Sequence, residues 1–225
     1  MTGRRKYDDG CAVAHGLDLL GERWALLIVR ELLLGPKRFT DLRAGLPGAS
    51  ADMLTQRLRE LSESGIVERR KLPPPAASWV YELTGWGAEL EPLILELGRW
   101  SSRSPALRTD APIGPDSLVL SLKTLFDARA ARGFHASIAL HLGEHRFRVR
   151  IADGHLEAVR GECDRPDATL DTDPGTLSAA LWDGQEHAFD DPDGVVSRFL
   201  TLFPLPEPAG ITRESPAPRP GGAAG

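Results

Sequence analysis

Cysteine is nearly absent: Cys11 and Cys163 are the only two in 225 residues, and they lie far apart in sequence. A disulfide framework is thereby excluded, and a reduced, cytoplasmic setting fits the chain. Long apolar runs are missing too. No stretch of eighteen apolar residues occurs and the first ten residues are charged, so neither a membrane span nor a secretory leader is expected. The chain also lacks a GxSxG elbow, a P-loop and a spaced pair of carboxylates, and its six histidines come without CxxC or HxxxH partners. Neither an enzyme, a metal centre nor a cofactor is expected.

A uniform charge is the last thing lacking. Residues 1–108 hold 16 Lys and Arg against 14 Asp and Glu, whereas residues 109–225 hold 11 against 18. A slightly basic first part beside an acidic second part indicates two units with different partners, of which the acidic one is unsuited to nucleic acid. A length of 225 residues allows each unit its own core.

The most informative stretch is residues 35–71. From Ser50, a good N-cap, Leu54, Leu58 and Leu61 recur at helical spacing until Gly65 supplies a stop. That spacing predicts a helix whose opposite face carries Asp52, Gln56, Arg59 and Glu63, flanked by Met53, Arg57 and Glu60. Residues 39–46 read as a shorter helix, and Pro47-Gly48 as the turn between them. Two helices joined in this way suggest a helix-turn-helix. Two short strands follow, residues 66–71 and 79–83, around a proline-rich tip, and they complete the order of a winged helix.

Ahead of this unit, Leu17, Leu20, Trp24, Leu27, Ile28 and Leu32 predict one core helix over residues 17–34, preceded by a polar arm with Arg4, Arg5 and Lys6. Behind it, a helix over residues 84–101 carries Leu90, Leu93, Leu97 and Trp100 on one stripe, which suits either the domain's own core or a seam between two copies. Residues 101–116 form a Pro/Ser/Gly-rich linker. Next comes a helix capped by Asp116 or Ser117, then alternating strands around hairpin turns at Gly143-Glu144 and Asp153-Gly154, and finally helices opened by Asp173-Pro174 and by Val195. The reading is α+β: an N-terminal winged helix-turn-helix with a C-terminal α/β sandwich built on an antiparallel sheet. Boundaries fall at 1–104, 105–115 and 116–204, with residues 205–225 expected to be a disordered tail.

The run Cys11-Ala-Val-Ala-His-Gly-Leu-Asp-Leu-Leu-Gly-Glu-Arg-Trp-Ala-Leu-Leu-Ile-Val-Arg-Glu-Leu32, then Gly35-Pro-Lys-Arg-Phe-Thr-Asp-Leu42, Leu54-Thr-Gln-Arg-Leu-Arg-Glu-Leu61 and Tyr81-Glu-Leu-Thr84, resembles the HxlR family of bacterial winged-helix regulators, relatives of MarR-type proteins. The resemblance covers about residues 8–104. It implies a homodimer on a near-palindromic double-stranded DNA operator, with Leu90, Leu93, Leu97 and Trp100 as the seam. Arg38, Ser50, Met53, Thr55, Gln56 and Arg57 would stand near bases or phosphates, and Arg69, Arg70 and Lys71 would form the wing. Some members of that family sense oxidants through a cysteine at the position of Cys11, so a thiol switch stands beside the reading of a quiet cysteine.

The segments 147–154, 166–173, 177–184 and 195–203 are similar to sterol carrier protein type 2-like domains. That likeness implies a hydrophobic small-molecule ligand held by Phe126, Ile138, Leu140, Phe147, Val149, Leu181, Trp182, Phe199 and Phe203, residues that serve equally as ordinary core. The expected function is a dimeric DNA-binding transcriptional regulator whose C-terminal domain modulates operator affinity. A lipid-binding or interaction module with weak DNA binding is the alternative.

Overall fold

The computed structural model describes residues 6–108, 111–185 and 187–210. Arg4 and Arg5 of the basic arm, two linker residues and the tail beyond 210 therefore lie outside the described residues. Residues 205–210 are tied back to the body, since the Ala209 N–H donates to the Arg103 carbonyl at 2.8 Å and Arg103 Nε donates to the Glu207 carbonyl at 3.1 Å.

Four helices open the chain: α1 (Ala12–Leu20), α2 (Ala25–Leu32), α3 (Phe39–Gly45) and α4 (Ala51–Glu63). The single helix expected over 17–34 is thus two. Trp24 stands between them at φ +79, a left-handed conformation that no continuous helix accommodates. Its ring explains the break: it packs so closely on the turn before α4 that a Cβ at Gly48 would come within 2.8 Å of Trp24 Cη2. The Leu54, Leu58 and Leu61 stripe of α4 is buried with Ile28, Val29, Leu42 and Ile66 in the first of two apolar clusters.

Strands β1 (Val67–Lys71) and β2 (Trp79–Leu83) pair antiparallel, Val67 opposite Leu83 and Lys71 opposite Trp79. Lys37 adds a short third rung, exchanging both backbone hydrogen bonds with Tyr81 at 2.9 and 2.8 Å. After the wing, the helix expected over 84–101 is interrupted. Thr84 caps a one-turn α5 (Gly85–Ala88), and α6 (Glu91–Ser101) restarts with Pro92 in its first turn, where a missing N–H does no harm.

The second cluster is built by α7 (Pro115–Leu125), β3 (Ala136–Leu142), β4 (His145–Ala152), β5 (His155–Arg160), β6 (Ala168–Thr172), α8 (Pro174–Trp182) and α9 (Val195–Leu200). Strand order is β5-β4-β3-β6. The turns at 143–144 and 153–154 make two-residue hairpins, and both Asp153 and Gly154 adopt the positive φ that a type I′ turn requires. One expectation is corrected. β6 pairs parallel to β3, so the sheet is mixed and not antiparallel. Residues 161–167 carry the chain through several bends, with Arg165 at positive φ, from the β5 edge to the opposite edge, a connection that no hairpin signal announces.

The two clusters meet along α7. Leu34 belongs to the second cluster although it follows α2, and Leu95 of α6 packs against it. Asp116, expected to cap α7, does something else: Gly114 is the cap, and Asp116 is buried in a chain of ion pairs. Arg30 NH2 donates to Glu31 at 2.8 Å, Lys37 Nζ donates to Glu31 at 2.5 Å and to Asp116 at 2.6 Å, and Arg160 donates to the second oxygen of Asp116. Glu31, Lys37 and Asp116 are 2, 6 and 4 % exposed. Removing one partner of such a chain strands a buried charge. Asp116→Ala is expected to lower unfolding free energy by about 3 kcal/mol, and Lys37→Met, which leaves both Glu31 and Asp116 without it, by at least as much. Denaturant titration of the full chain measures both.

Candidate nucleic-acid interface

Ser50 fixes the start of α4 by accepting the Met53 N–H at 3.2 Å, and at the start of α3 the Asp41 carboxylate accepts the Arg38 backbone N–H at 3.1 Å. Arg38 Nε also donates to Ser78 Oγ at 3.2 Å, so the start of α3 is joined to the wing tip. Exposed on these elements are Arg38, Thr40, Arg43, Ser50, Asp52, Thr55 and Arg59, while Met53 and Gln56 are half-buried. Gln56 donates to Glu60 at 3.0 Å, and Thr55 Oγ1 returns a hydrogen bond to its own helix at the Ala51 carbonyl. Thr40 and Arg43 line a depression of 650 Å³ with Ala44 and residues 47–50.

Arg57 is a correction. It is 6 % exposed, paired with Glu60 and 3.6 Å from Glu22, and it does not reach the outer face of α4. Its flanking place on the wheel left the side open, and the carboxylate of Glu22 from the α1–α2 connection draws it inward. Conversely, Arg43 was not among the expected contact residues, since residues 39–46 read only as a short helix with no face assigned to it. Its exposure beside the turn is the signal that brings it in.

In the wing all three basic residues are exposed. Arg69 lies over the Trp79 ring, 4.6 Å from its centroid, a contact that holds the guanidinium while leaving its N–H edge open to a phosphate. Arg70 is engaged by Glu82, whose hydrogen bond raises the Arg70 pKa above its ordinary value. Lys71 sits opposite Trp79 at the tip end of the strand.

The apolar stripe of α6 divides in two. Leu90 is half-buried and packs on the first cluster, whereas Leu93, Leu97 and Trp100 are 52, 44 and 73 % exposed. Val13 and Leu17, one turn apart on α1, are exposed; Leu17, expected on the core stripe, is thereby corrected, and the sequence pattern did not single out Val13. Of the nine C-terminal residues, Ile138, Leu140, Phe147, Val149, Phe199 and Phe203 are buried in one cluster, with the Phe199 and Phe203 rings edge to face at 4.9 Å. Phe126, Leu181 and Trp182 lie half-buried at its margin, and a depression of 430 Å³ reaches Phe126.

Cys11 is exposed at the N-cap of α1. Its thiol makes no full capping hydrogen bond, yet the backbone N–H groups of Ala14 and then Val13 hold its pKa below the ordinary cysteine value. Cys163 is half-buried.

A helical pair with a polar outer face, joined to a paired wing, defines a winged helix-turn-helix transcriptional regulator. Comparison with known proteins gives the family: the HxlR-like helix-turn-helix model matches residues 19–107. YodB of Bacillus subtilis, an HTH-type transcriptional regulator, is 40 % identical over 85 residues, 38 % of this chain and 76 % of YodB. YvaP of the same organism, an uncharacterised HTH-type regulator, is 38 % identical over 86 residues, 38 % of this chain and 80 % of YvaP. The solved reduced form of YodB covers 44 % of this chain and 97 % of its own at 35 % identity and a TM-score of 0.39. The chain belongs to the HxlR family, and its relatives are transcriptional regulators, not enzymes. Among the described residues no helix is long and apolar enough to cross a membrane.

Two outcomes test this geometry. Ser50→Ala is expected to lower stability by about 1 kcal/mol through loss of the α4 cap. Iodoacetamide near neutral pH is expected to modify Cys11 ahead of Cys163, with the midpoint of the Cys11 rate against pH below that of free cysteine; a midpoint at or above it contradicts the assigned environment.

Proposed function

We propose that the protein is a homodimer that binds a near-palindromic operator, with α4 in the major groove and the wing on the flanking backbone. The observation that supports this reading is the tie between α3 and the wing through Arg38 and Ser78, beside the depression that Thr40, Arg43 and Ser50 line together. Ser50, Thr55 and Gln56, with Met53 beside them, read base edges or adjacent phosphates; Arg38, Arg43, Arg69, Arg70 and Lys71 hold phosphates. Asp52, exposed in the first turn of α4, repels phosphate and so confines the approach to bases. Residues 1–104 are then the DNA-binding and dimerisation domain, 105–115 the linker and 116–204 the modulating domain. The seam is Leu93, Leu97 and Trp100, with Leu90 at its inner end; two-fold symmetry spaces the half-sites by about 34–36 Å.

For the C-terminal domain we infer a sterol carrier protein type 2-like role: an apolar ligand enters at Phe126, Leu181 and Trp182 and parts the Phe199 and Phe203 rings. Such a ligand shifts operator affinity only by preferring one arrangement of the junction at α7. A thiol switch at Cys11 is the second reading, favoured by its exposure and lowered pKa.

Selection of bound fragments from random DNA tests operator recognition. A palindromic site preferred by about 10³ over scrambled DNA is expected, and equal binding to both would refute sequence-specific recognition. Lys71→Ala is expected to weaken all sequences alike and to reduce the slope of log K against log salt by about 0.9. Gln56→Ala, by contrast, is expected to relax preference at one position by about 1–3 kcal/mol. Trp100→Glu is expected to yield monomers in sedimentation, and an intact dimer would remove α6 from the seam. Titration with fatty acids and sterols tests the ligand reading: operator affinity indifferent to every bound compound ends the coupling.

A further inference from the structure

The C-terminal sheet has two unlike faces. Ile138, Leu140, Phe147, Val149 and Leu170 are buried on the side of the helices. The residues that alternate with them form the other face, where Arg148, Arg150, Glu157, Thr169 and Asp171 are exposed. Register divides that face into rows across β4, β3 and the β6 side. Arg146, His141 and Asp171 make one row, and Arg148, Ala139 and Thr169 the next. Arg150 and Ser137 make the third with Asp167, which exchanges hydrogen bonds with the Ser137 backbone just before β6.

Charge on this face is balanced but segregated by strand. All three outward residues of β4 are arginines, and two of the three on the β6 side are aspartates. Glu157, opposite Arg150, brings the carboxylates level with the guanidiniums. A balanced face has no surplus charge to attract nucleic acid or a uniformly acidic partner. The two strips do not neutralise each other within one molecule. β3 holds them two strand spacings apart, about 9.6 Å, and among the described residues no ion pair joins a β4 arginine to Asp167 or Asp171. Arg146 donates to the Gly143 carbonyl at 2.6 Å, while the guanidinium groups of Arg148 and Arg150 have no hydrogen-bond or ion-pair partner among the described residues.

We propose that this face docks on the same face of a second copy, about a two-fold axis that runs along β3. Rotation about that axis keeps each row level and exchanges the β4 and β6 sides. Arg146 then meets Asp171 of the second copy, Arg150 meets Asp167, and each pair occurs twice. Arg148 stands over Thr169, between the two aspartates. Ala139, small and central, lies on the axis and lets the sheets approach to the usual spacing of about 10 Å, a gap that arginine side chains bridge. A two-fold axis across the strands would instead set arginine over arginine, so the charge pattern selects one arrangement. The flat area of the face is on the order of 400 Å², which makes the contact weak by itself. Under the DNA-binding reading it links dimers on neighbouring operators; the contact itself does not depend on that reading.

Sedimentation velocity of the full chain without DNA, from about 5 to about 500 µM at low salt, tests the contact. The dilute species is expected to double its mass reversibly with a Kd of about 10–300 µM, and about 0.5 M sodium chloride to weaken the doubling about tenfold. Trp100→Glu is expected to halve the mass of the dilute species and to leave its doubling in place. Arg148→Glu with Arg150→Glu turns the face acidic, and Thr169→Lys with Asp171→Lys turns it basic. Each pair of changes is expected to abolish doubling while far-UV circular dichroism stays native, since all four positions are exposed. An equimolar mixture of the two variants is expected to associate again, because the acidic β4 of one meets the basic β6 of the other. Arg129→Glu with Arg132→Glu, an equal change of charge at exposed positions off this face, is expected to leave doubling unchanged and not to associate with the basic variant. No doubling of the wild-type chain up to about 500 µM, doubling that persists in either face variant, or a mixture of the two that stays dissociated overturns the proposal.

Discussion

Lys37 is the residue on which the arrangement depends. Its backbone pairs with Tyr81 and so fixes the wing to the segment between α2 and α3. Its ammonium joins Glu31 of α2 to Asp116 of α7, and through Asp116 to Arg160 of β5. One side chain therefore sets the wing, the helix behind the recognition unit and the C-terminal sheet in a single frame. Desolvating an ammonium is unfavourable by several kcal/mol unless its charge is met, and here two carboxylates meet it, each accepting one N–H.

That frame positions the surface proposed for recognition. Glu31 lies so close to the end of α3 that a Cβ at Gly45 would come within 2.2 Å of its carboxylate, so any larger residue there would push α3 away from the charged chain. Trp24 presses on Gly48 three residues further on, in the turn before α4. The turn before α4 is thus held between an ionic contact and an aromatic one. A change at either contact reaches the N-terminus of α4, where Ser50 and Thr55 stand exposed.

What the sequence made legible follows from what is local. The α4 stripe, its Ser50 cap, the hairpin at Asp153-Gly154 and the cap at Asp173 are encoded within a few residues, and the structure has each of them. Family membership was legible for the same reason, being carried by contiguous motifs. The break at Trp24, the inward turn of Arg57 and the parallel pairing of β6 depend on partners remote in sequence, and periodicity carries no trace of them; the break before Pro92 is marked locally by the proline itself. Asp116 is the clearest instance: next to a helix start it reads as a cap, and only Lys37, 79 residues away, shows why it is buried. The roles assigned to the α6 stripe and to the nine apolar residues of the sheet domain rest on chemistry, because a seam, a pocket and a core require the same side chains.

The ionic character of the junction bears on regulation more than on stability. An apolar junction of equal volume would hold the two halves together at least as well. Charges add direction. A shift of α7 by one residue along α2 would leave Lys37 buried without Asp116, so the halves have one favoured register and few close alternatives. Few alternatives are what a switch requires, because a ligand or a thiol reaction biases discrete arrangements and has little grip on a continuum. Placed at the start of α7 and joined through Lys37 to both the wing and the sheet, the chain of charges is where a bias of the proposed kind would reach α4 over a short path.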